Sequence, residues 1–320
     1  MKLLLLGADG QVGWELRRSL AALGEVVTAG RAEGADLARP EAVAALAERV
    51  APQVIVNAAA YTAVDRAEQE HALAHAINAE APGALARTAA RLDAWLLHYS
   101  TDYVFDGSGT APRDESSPTA PLNTYGHSKL AGEEQIRASR CKHLILRTSW
   151  VYAARGGNFA RTMLRLAGER DELKVVDDQV GAPTGAELLA DVATLMLRTV
   201  ATRPELAGTY HACAAGETSW CAYARHVIGW ARTRGLPLRT APESVLPIPS
   251  SAYPVPARRP LNSRLDTRKL RQAFELTLPP WQQGVERMLA EALNLPLAPP
   301  PAPPLAPPPA EPANPPLTNP

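Results

Sequence analysis

Five short runs of this 320-residue chain are apolar along almost their whole length, and amphipathic stretches separate them. They are "KLLLLG" (2–7), "EVVTA" (25–29), "VIVNAA" (54–59), "AWLLHYS" (94–100) and "HLILRTS" (143–149). A strand apolar on both faces must be covered on both faces. Helical patterns at 12–23, 40–50, roughly 65–92 and 125–139 supply the covers. The alternation predicts an α/β fold with a Rossmann-type, doubly wound parallel sheet. After residue 150 the rhythm changes. Residues 158–169 and 186–200 read as helices, whereas 177–185 and 247–260 read as long loops. From 296 to 320 about half the residues are proline and one is charged, which predicts a disordered or polyproline-II-like tail.

Composition removes several classes of function. Lysine plus arginine equals aspartate plus glutamate, 33 each, so no overall field draws the chain to nucleic acid or an anionic membrane. The three cysteines, Cys141, Cys213 and Cys221, form no CxxC and cannot all pair, which suits a reducing compartment. The opening "MKLLLLGADG" is too short an apolar run for a signal peptide, and no stretch reaches the ~20 apolar residues of a membrane span. A soluble, cytoplasmic protein is expected.

The first strand leads directly into "GADGQVGWEL". Gly7, Gly10 and Gly13, with Gln11 and Val12 between the last two, stand where a strand turns into a helix. Such a turn aims backbone N–H groups and the positive helix end at one point, and glycines let a diphosphate come close. The spacing is GxxGxxG, and the alternative reading is a tight turn without a ligand. At the end of the second strand, NAD sites usually carry a carboxylate for the ribose 2′-hydroxyl. Here "TAGRAEG" puts Gly30 and Arg31 in that place, and Arg31 could pair with a 2′-phosphate. NADP(H) is the expected cofactor, although Arg31 also reads as an ordinary solvated charge. On this reading residues 1–150 form an NADP-binding Rossmann domain to which the chain returns later, and 151–295 mainly a substrate-binding lobe.

"NTYGHSKLAGEE" (123–134) puts Tyr125 and Lys129 on one face of a helix. A free tyrosine is a poor acid at neutral pH; an ammonium beside it would pull its pKa down. A carbonyl being reduced needs a proton at its oxygen, and a tyrosine backed by a lysine can supply one. Upstream, "HYSTDYVFDG" (98–107) sets Ser100, Thr101 and Asp102 where the fourth strand ends, on the rim where open parallel sheets bind ligands. Thr101 could donate to the same oxygen as Tyr125. His98 and Tyr99 read as packed at the strand end, and Trp14 and Trp95 as core. Asn78 reads either as part of a proton relay or as a brace for the backbone.

These motifs, with "VIVNAAAYTAVDRAE", "RTSWVY", "DDQVGAPTGAELLAD" and "SAYPVPARRPLNSRLD", resemble the extended short-chain dehydrogenase/reductases. Within them the chain is similar to the dTDP-4-dehydrorhamnose reductase family, over nearly all its length to about residue 292. The resemblance implies a catalytic trio of Thr101, Tyr125 and Lys129. It places Asp36 and Leu37 at the adenine and Ala59 and Ala60 in the cofactor cleft. It implies sugar and nucleotide contacts at Thr62, Val64, Asp102, Tyr103 and Trp150, and a diphosphate contact at Arg259. Some members form homodimers around a magnesium ion, and Glu15, Glu187 and Glu291 match the glutamates that hold it. Each also reads as a solvated helix glutamate.

The implied reaction is NADPH-dependent reduction of the C4 keto group of dTDP-4-dehydro-β-L-rhamnose. An epimerase or dehydratase is a competing reading, but dehydratases place a glutamate after the Thr–Asp pair, where this chain has Tyr103. A non-catalytic NADP-binding regulatory subunit, of the methionine adenosyltransferase type, is the reading from another class.

Overall fold

A computed structural model of the chain describes residues 1–296; the proline-rich tail expected over 296–320 lies, from residue 297 on, outside the described residues. Strands β1 (Lys2–Leu6), β2 (Glu25–Thr28), β3 (Val54–Asn57), β4 (Trp95–Thr101) and β5 (Lys142–Thr148) form a parallel sheet with a sixth strand, Gly208–His211. The order runs from the Gly208–His211 strand through β5, β4, β3 and β1 to β2. Chain order therefore reverses beside β1. The crevice between the ends of β1 and β3 is where a doubly wound sheet binds its ligand.

Alternation along β1 shows how both faces are filled. Leu3 and Leu5 join Leu16 and Leu20 of helix α1 (Gln11–Leu20) and Leu189, Ala193 and Met196 of the Ala186–Val200 helix. Leu4 and Leu6 face the other way, toward Val43 and Leu46 of helix α2 (Pro40–Val50) and Leu85 and Ala89 of the Ala81–Arg91 helix. All four β1 leucines are fully buried, each contributing about 1.5–3 kcal/mol of transfer free energy. Pro40 occupies the first helical position of α2, where its missing N–H costs nothing.

The helical pattern expected over roughly 65–92 is divided into Val64–Ala67, His71–His75, a widened turn at Ala76–Glu80 and Ala81–Arg91. Pro82 explains the widening. It has no N–H to give to the carbonyl of Asn78, four residues earlier. That carbonyl faces the Thr124–Ser139 helix so closely that a Cβ on Gly132 would come within 2.1 Å of it.

Past β5 the chain turns at Trp150, whose φ of +47° is left-handed. Helices Phe159–Glu169, Trp220–Thr233 and Trp281–Ala292 gather around Tyr152, Tyr223, Trp230 and Trp281. A parallel pair, Leu173–Val176 with Val245–Ile248, lies beside them. The 177–185 segment is less irregular than its sequence suggests. Val180–Gly181 and Thr184–Gly185 pair with Thr218–Ser219 and Val151–Tyr152. No helix among the described residues is long and apolar enough to cross a membrane.

Candidate active site

Two glycines of the first loop are demanded by packing, and the third leaves room. Gly7 has φ +78°, and a Cβ there would lie 2.6 Å from the Ala59 nitrogen. A Cβ on Gly13 would lie 1.9 Å from the Gly7 carbonyl oxygen, so α1 can approach β1 only without a side chain there. At exposed Gly10 a Cβ would meet just the Gly7 oxygen, at 3.3 Å. No side chain caps α1 and no acidic residue sits in its first turn, so the N–H groups of Gln11, Val12 and Gly13 are left for an anion. This cradle fits a dinucleotide diphosphate.

The rest of the cofactor cleft is mixed. Arg31 is exposed beyond β2, as a 2′-phosphate partner needs to be. The sequence reading missed Glu33, whose carboxylate folds back onto the Gly30 N–H. Asp36 accepts from the Ala38 N–H at 3.2 Å, whereas Leu37 is 6% exposed and belongs to the core behind the cleft. Ala59 and Ala60 follow β3 and are half-buried at the crevice. Trp14 is not core: it is 42% exposed and carries the Arg155 guanidinium 3.6 Å above its ring. Together with a Gln11 Nε2 to Gly157 carbonyl bond of 3.0 Å, this stack ties the start of α1 to the second lobe.

The Thr124–Ser139 helix is held in place by several independent contacts. Asn123 caps it, its Oδ1 accepting from the Gly126 N–H at 2.8 Å, and Glu68 accepts from the Thr124 N–H at 2.8 Å. Asn78 donates to Ser128 Oγ at 3.0 Å while exchanging two bonds with the Tyr61 backbone, the bracing role of the two foreseen for it. Below, Glu133 takes both prongs of Arg147 at 2.8 and 2.6 Å and the Ser100 hydroxyl at 2.6 Å. Arg147 holds this carboxylate below its usual range against the opposing effect of burial. Breaking such a buried pair from one side costs about 3–5 kcal/mol.

Tyr125 is thereby set near Thr101, which ends β4, is 5% exposed and donates its hydroxyl to Asp102 Oδ1 at 3.2 Å. Burial pushes the Tyr125 phenol up to about 12, with Thr101 opposing. This differs from the expectation that Lys129 depresses it. Lys129 is 1% exposed and turned to the sheet, bonded to the Tyr99 carbonyl at 2.6 Å and His98 Nε2 at 3.1 Å. Burial lowers the Lys129 ammonium to about 8, with Glu133 opposing. Asp102 is raised to about 7 by burial, with the Ser263 and Thr101 hydroxyls opposing, and its Oδ2 has no hydrogen-bond partner. Tyr103 stands edge-on to Tyr125 with ring centroids 5.5 Å apart. Two hydroxyls can thus meet one carbonyl oxygen in a largely water-excluded corner.

A cleft of about 620 Å³ adjoins this corner, lined by Asp106, Leu122, Gln179, Tyr253, Val255 and Arg259 among others. Arg259 is not free: one Nη donates to Asp65 at 2.7 Å, and Asp65 also accepts from the Ala257 N–H. Its other Nη is buried without a partner, a donor available to an anion. Val64 and Thr62 sit just before Asp65, half-buried and exposed. Trp150 lies flat on Trp220, centroids 3.6 Å apart, and so is fixed from the second lobe.

The three glutamates matched to magnesium do not form a ligand set within one chain. Glu187 has Arg287 at 3.8 Å and Glu15 has Arg18 at 3.6 Å, while Glu291 is exposed. Burial raises the Glu187 carboxylate, Arg287 opposing and Glu15 and Glu291 reinforcing, so the three do share a neighbourhood. Among the described residues no three His, Cys, Asp or Glu side chains are grouped to hold a metal ion.

Residues 1–294 match the family model described as RmlD substrate binding domain. A dTDP-4-dehydrorhamnose reductase of Shigella flexneri is 53% identical over 294 residues, 91% of this chain and 98% of that protein. A crystal structure of a dTDP-4-dehydrorhamnose reductase from Clostridium acetobutylicum superposes with a TM-score of 0.82 at 34% identity, covering 92% of this chain and 100% of that one. The Bacillus anthracis dTDP-4-dehydrorhamnose reductase in complex with NADP gives 0.81, also at 34% identity, with 91% and 99% covered.

Proposed function

Since the chain belongs to the RmlD substrate binding domain family, we propose that it reduces the C4 keto group of dTDP-4-dehydro-β-L-rhamnose to dTDP-L-rhamnose, with NADPH as reductant. It is an NADP-dependent oxidoreductase with a nucleotide-sugar substrate. The observation that carries the reading is the placement of buried Thr101 at the end of β4 with Tyr125 near it, on a sheet whose first strand leads into the glycine cradle.

When bound, NADPH supplies the hydride. Residues 1–150 hold it, the α1 N-terminus and Gly10 taking the diphosphate and Arg31 the 2′-phosphate. Residues 151–295 contribute most of the sugar-nucleotide side, where the unpartnered Nη of Arg259 takes an anionic oxygen and Trp150 and Tyr103 shape the sugar pocket. Thr101 and Tyr125 orient the C4 carbonyl, and Tyr125 delivers its proton to the oxygen as negative charge develops there. A tyrosine still protonated at neutral pH suits this direction of reaction.

The cytoplasm is the proposed location, supported by three free, buried cysteines. A homodimer bridged by magnesium is proposed from the shared neighbourhood of Glu15, Glu187 and Glu291, and no catalytic step passes through it. The deciding experiment follows NADPH absorbance with dTDP-4-dehydro-β-L-rhamnose, with Tyr125→Phe alongside. Turnover to dTDP-L-rhamnose should fall about 10²- to 10⁴-fold in the variant while NADPH binding is kept. Absence of turnover in the folded wild type would overturn the reading.

A further inference from the structure

We propose that Asn123 is a positioning residue that holds Arg259 at a set spacing from Tyr125, and so decides how long a substrate the cleft accepts between its diphosphate and its reacting carbonyl. The proposal rests on the reductase reading and deepens it. It starts from three consecutive residues, 257–259, each of which is tied to the first lobe. The Ala257 N–H donates to Asp65 Oδ1 at 3.1 Å, the Arg258 carbonyl accepts from Asn123 Nδ2 at 2.7 Å, and Arg259 Nη2 donates to Asp65 Oδ2 at 2.7 Å.

These bonds close a ring. Asp65 belongs to the short Val64–Ala67 helix, and Glu68 at the end of that helix accepts from the Thr124 N–H at 2.8 Å. Thr124 follows Asn123, which returns the circuit to Arg258. The Asn123 amide has a single orientation in this ring. Its Oδ1 receives the Gly126 N–H at 2.8 Å while its Nδ2 faces a carbonyl, so a flip would set donor against donor and acceptor against acceptor. The side chain is 5% exposed, so water does not readily replace either partner.

Capping the Thr124–Ser139 helix needs an oxygen, and serine or aspartate supplies one about as well as asparagine does. What asparagine adds is the Nδ2 donor, and that donor goes to the loop that carries Arg259. Tyr125 lies two residues further on, in the first turn of the same helix. There Gly126 is pressed so closely onto Tyr103 that a Cβ would come within 2.3 Å of its carbonyl oxygen. The helix start cannot slide along the strand end, so the loop is referenced to a fixed point. Arg258 and Arg259 line the cleft of about 620 Å³, and Arg259 Nη1 has no partner among the described residues. A diphosphate met by Arg259 and a C4 oxygen met by Tyr125 are thus spaced through Asn123. A small change in that spacing leaves each end able to bind, but no longer both in reacting register.

Asn123→Ser and Asn123→Asp both keep an oxygen for the Gly126 N–H and both lack the donor to Arg258. Asp65 still holds the arginine, so dTDP alone should bind within about threefold of its wild-type affinity. dTDP-L-rhamnose, which spans both ends, should lose about tenfold of its advantage over dTDP, and kcat for reduction should fall about tenfold. A helix cap acting alone would not move that ratio of affinities. With Arg259→Lys already present, the loss from Asn123→Ser in kcat/KM should shrink to about threefold, because both residues act through one loop. The proposal is overturned if both variants keep the wild-type ratio and kcat, or if the effects of Asn123→Ser and Arg259→Lys simply multiply. It is also overturned if neither variant folds, which would make the side chain structural, or if the wild type binds dTDP-L-rhamnose no tighter than dTDP. Failure of the reductase reading would appear separately, in the wild type, as absence of keto-sugar turnover, with the ratio of affinities still deciding the role of Asn123.

Discussion

The dinucleotide side and the sugar-nucleotide side of the cleft are built by different means. The first is local: Gly7, Gly10 and Gly13 fall within seven residues, and backbone clearance fixes two of them. The second is assembled across the chain. Arg259 reaches Asp65 across 194 positions, Asn123 donates to the Arg258 carbonyl across 135, and Trp150 lies on Trp220. A site of backbone clearances tolerates almost no change. A site of long side chains tolerates substitution with graded loss, which suits the part that selects the substrate.

The sharpest way to break the comparison is Gly13→Ala. A methyl 1.9 Å from a backbone oxygen cannot be absorbed by side-chain movement, so α1 must leave β1. The variant should lose about 3 kcal/mol or more of stability together with detectable NADPH binding, read by denaturant unfolding and fluorescence titration. A variant that binds NADPH normally would show the loop to be looser than its geometry.

Asp102 lies between the two sides and gives a pH-dependent test. Its folded pKa of about 7 stands above its unfolded value of about 3.8, so its contribution to stability is fully present below the unfolded value and is lost as pH rises through the folded one. Asp102→Asn should therefore gain on the order of 4 kcal/mol relative to the wild type at pH 8, and little at pH 4. Unfolding curves at the two pH values measure it; an equal difference at both would exclude a buried, titrating carboxylate.

The smallest effect is expected on the assembled side. Arg259→Lys keeps a cation for Asp65 but removes the second, unpartnered Nη donor. KM for the sugar nucleotide should rise about tenfold with kcat nearly unchanged. A fall in kcat instead would place Arg259 at the reacting end of the substrate.

The same contrast marks what was legible in the sequence. Uniformly apolar strands, the glycine turn, and the Tyr125–Lys129 spacing are short-range patterns, and the parallel sheet follows from them. The break in the 65–92 helix was signalled by Pro82, but its consequence, an Asn78 carbonyl turned onto Gly132, depends on a helix fifty residues away. Trp14 looked like core because periodicity does not show that Arg155 will cover it. Glu33 and the partner of Arg259 were illegible for the same reason, since side-chain partners across loops leave no period.

The late entry of the Gly208–His211 strand and the Ala186–Val200 helix into the first sheet bears on how the protein is made. The helix covers Leu3 and Leu5, and the strand completes the edge beside β5. As the chain leaves the ribosome, α1 alone can cover this face of β1 until about residue 200 has emerged, at roughly 5–20 residues per second. For those seconds the nascent chain leaves the rest of that apolar face uncovered, so holding chaperones should act between synthesis of the Thr124–Ser139 helix and synthesis of the Ala186–Val200 helix.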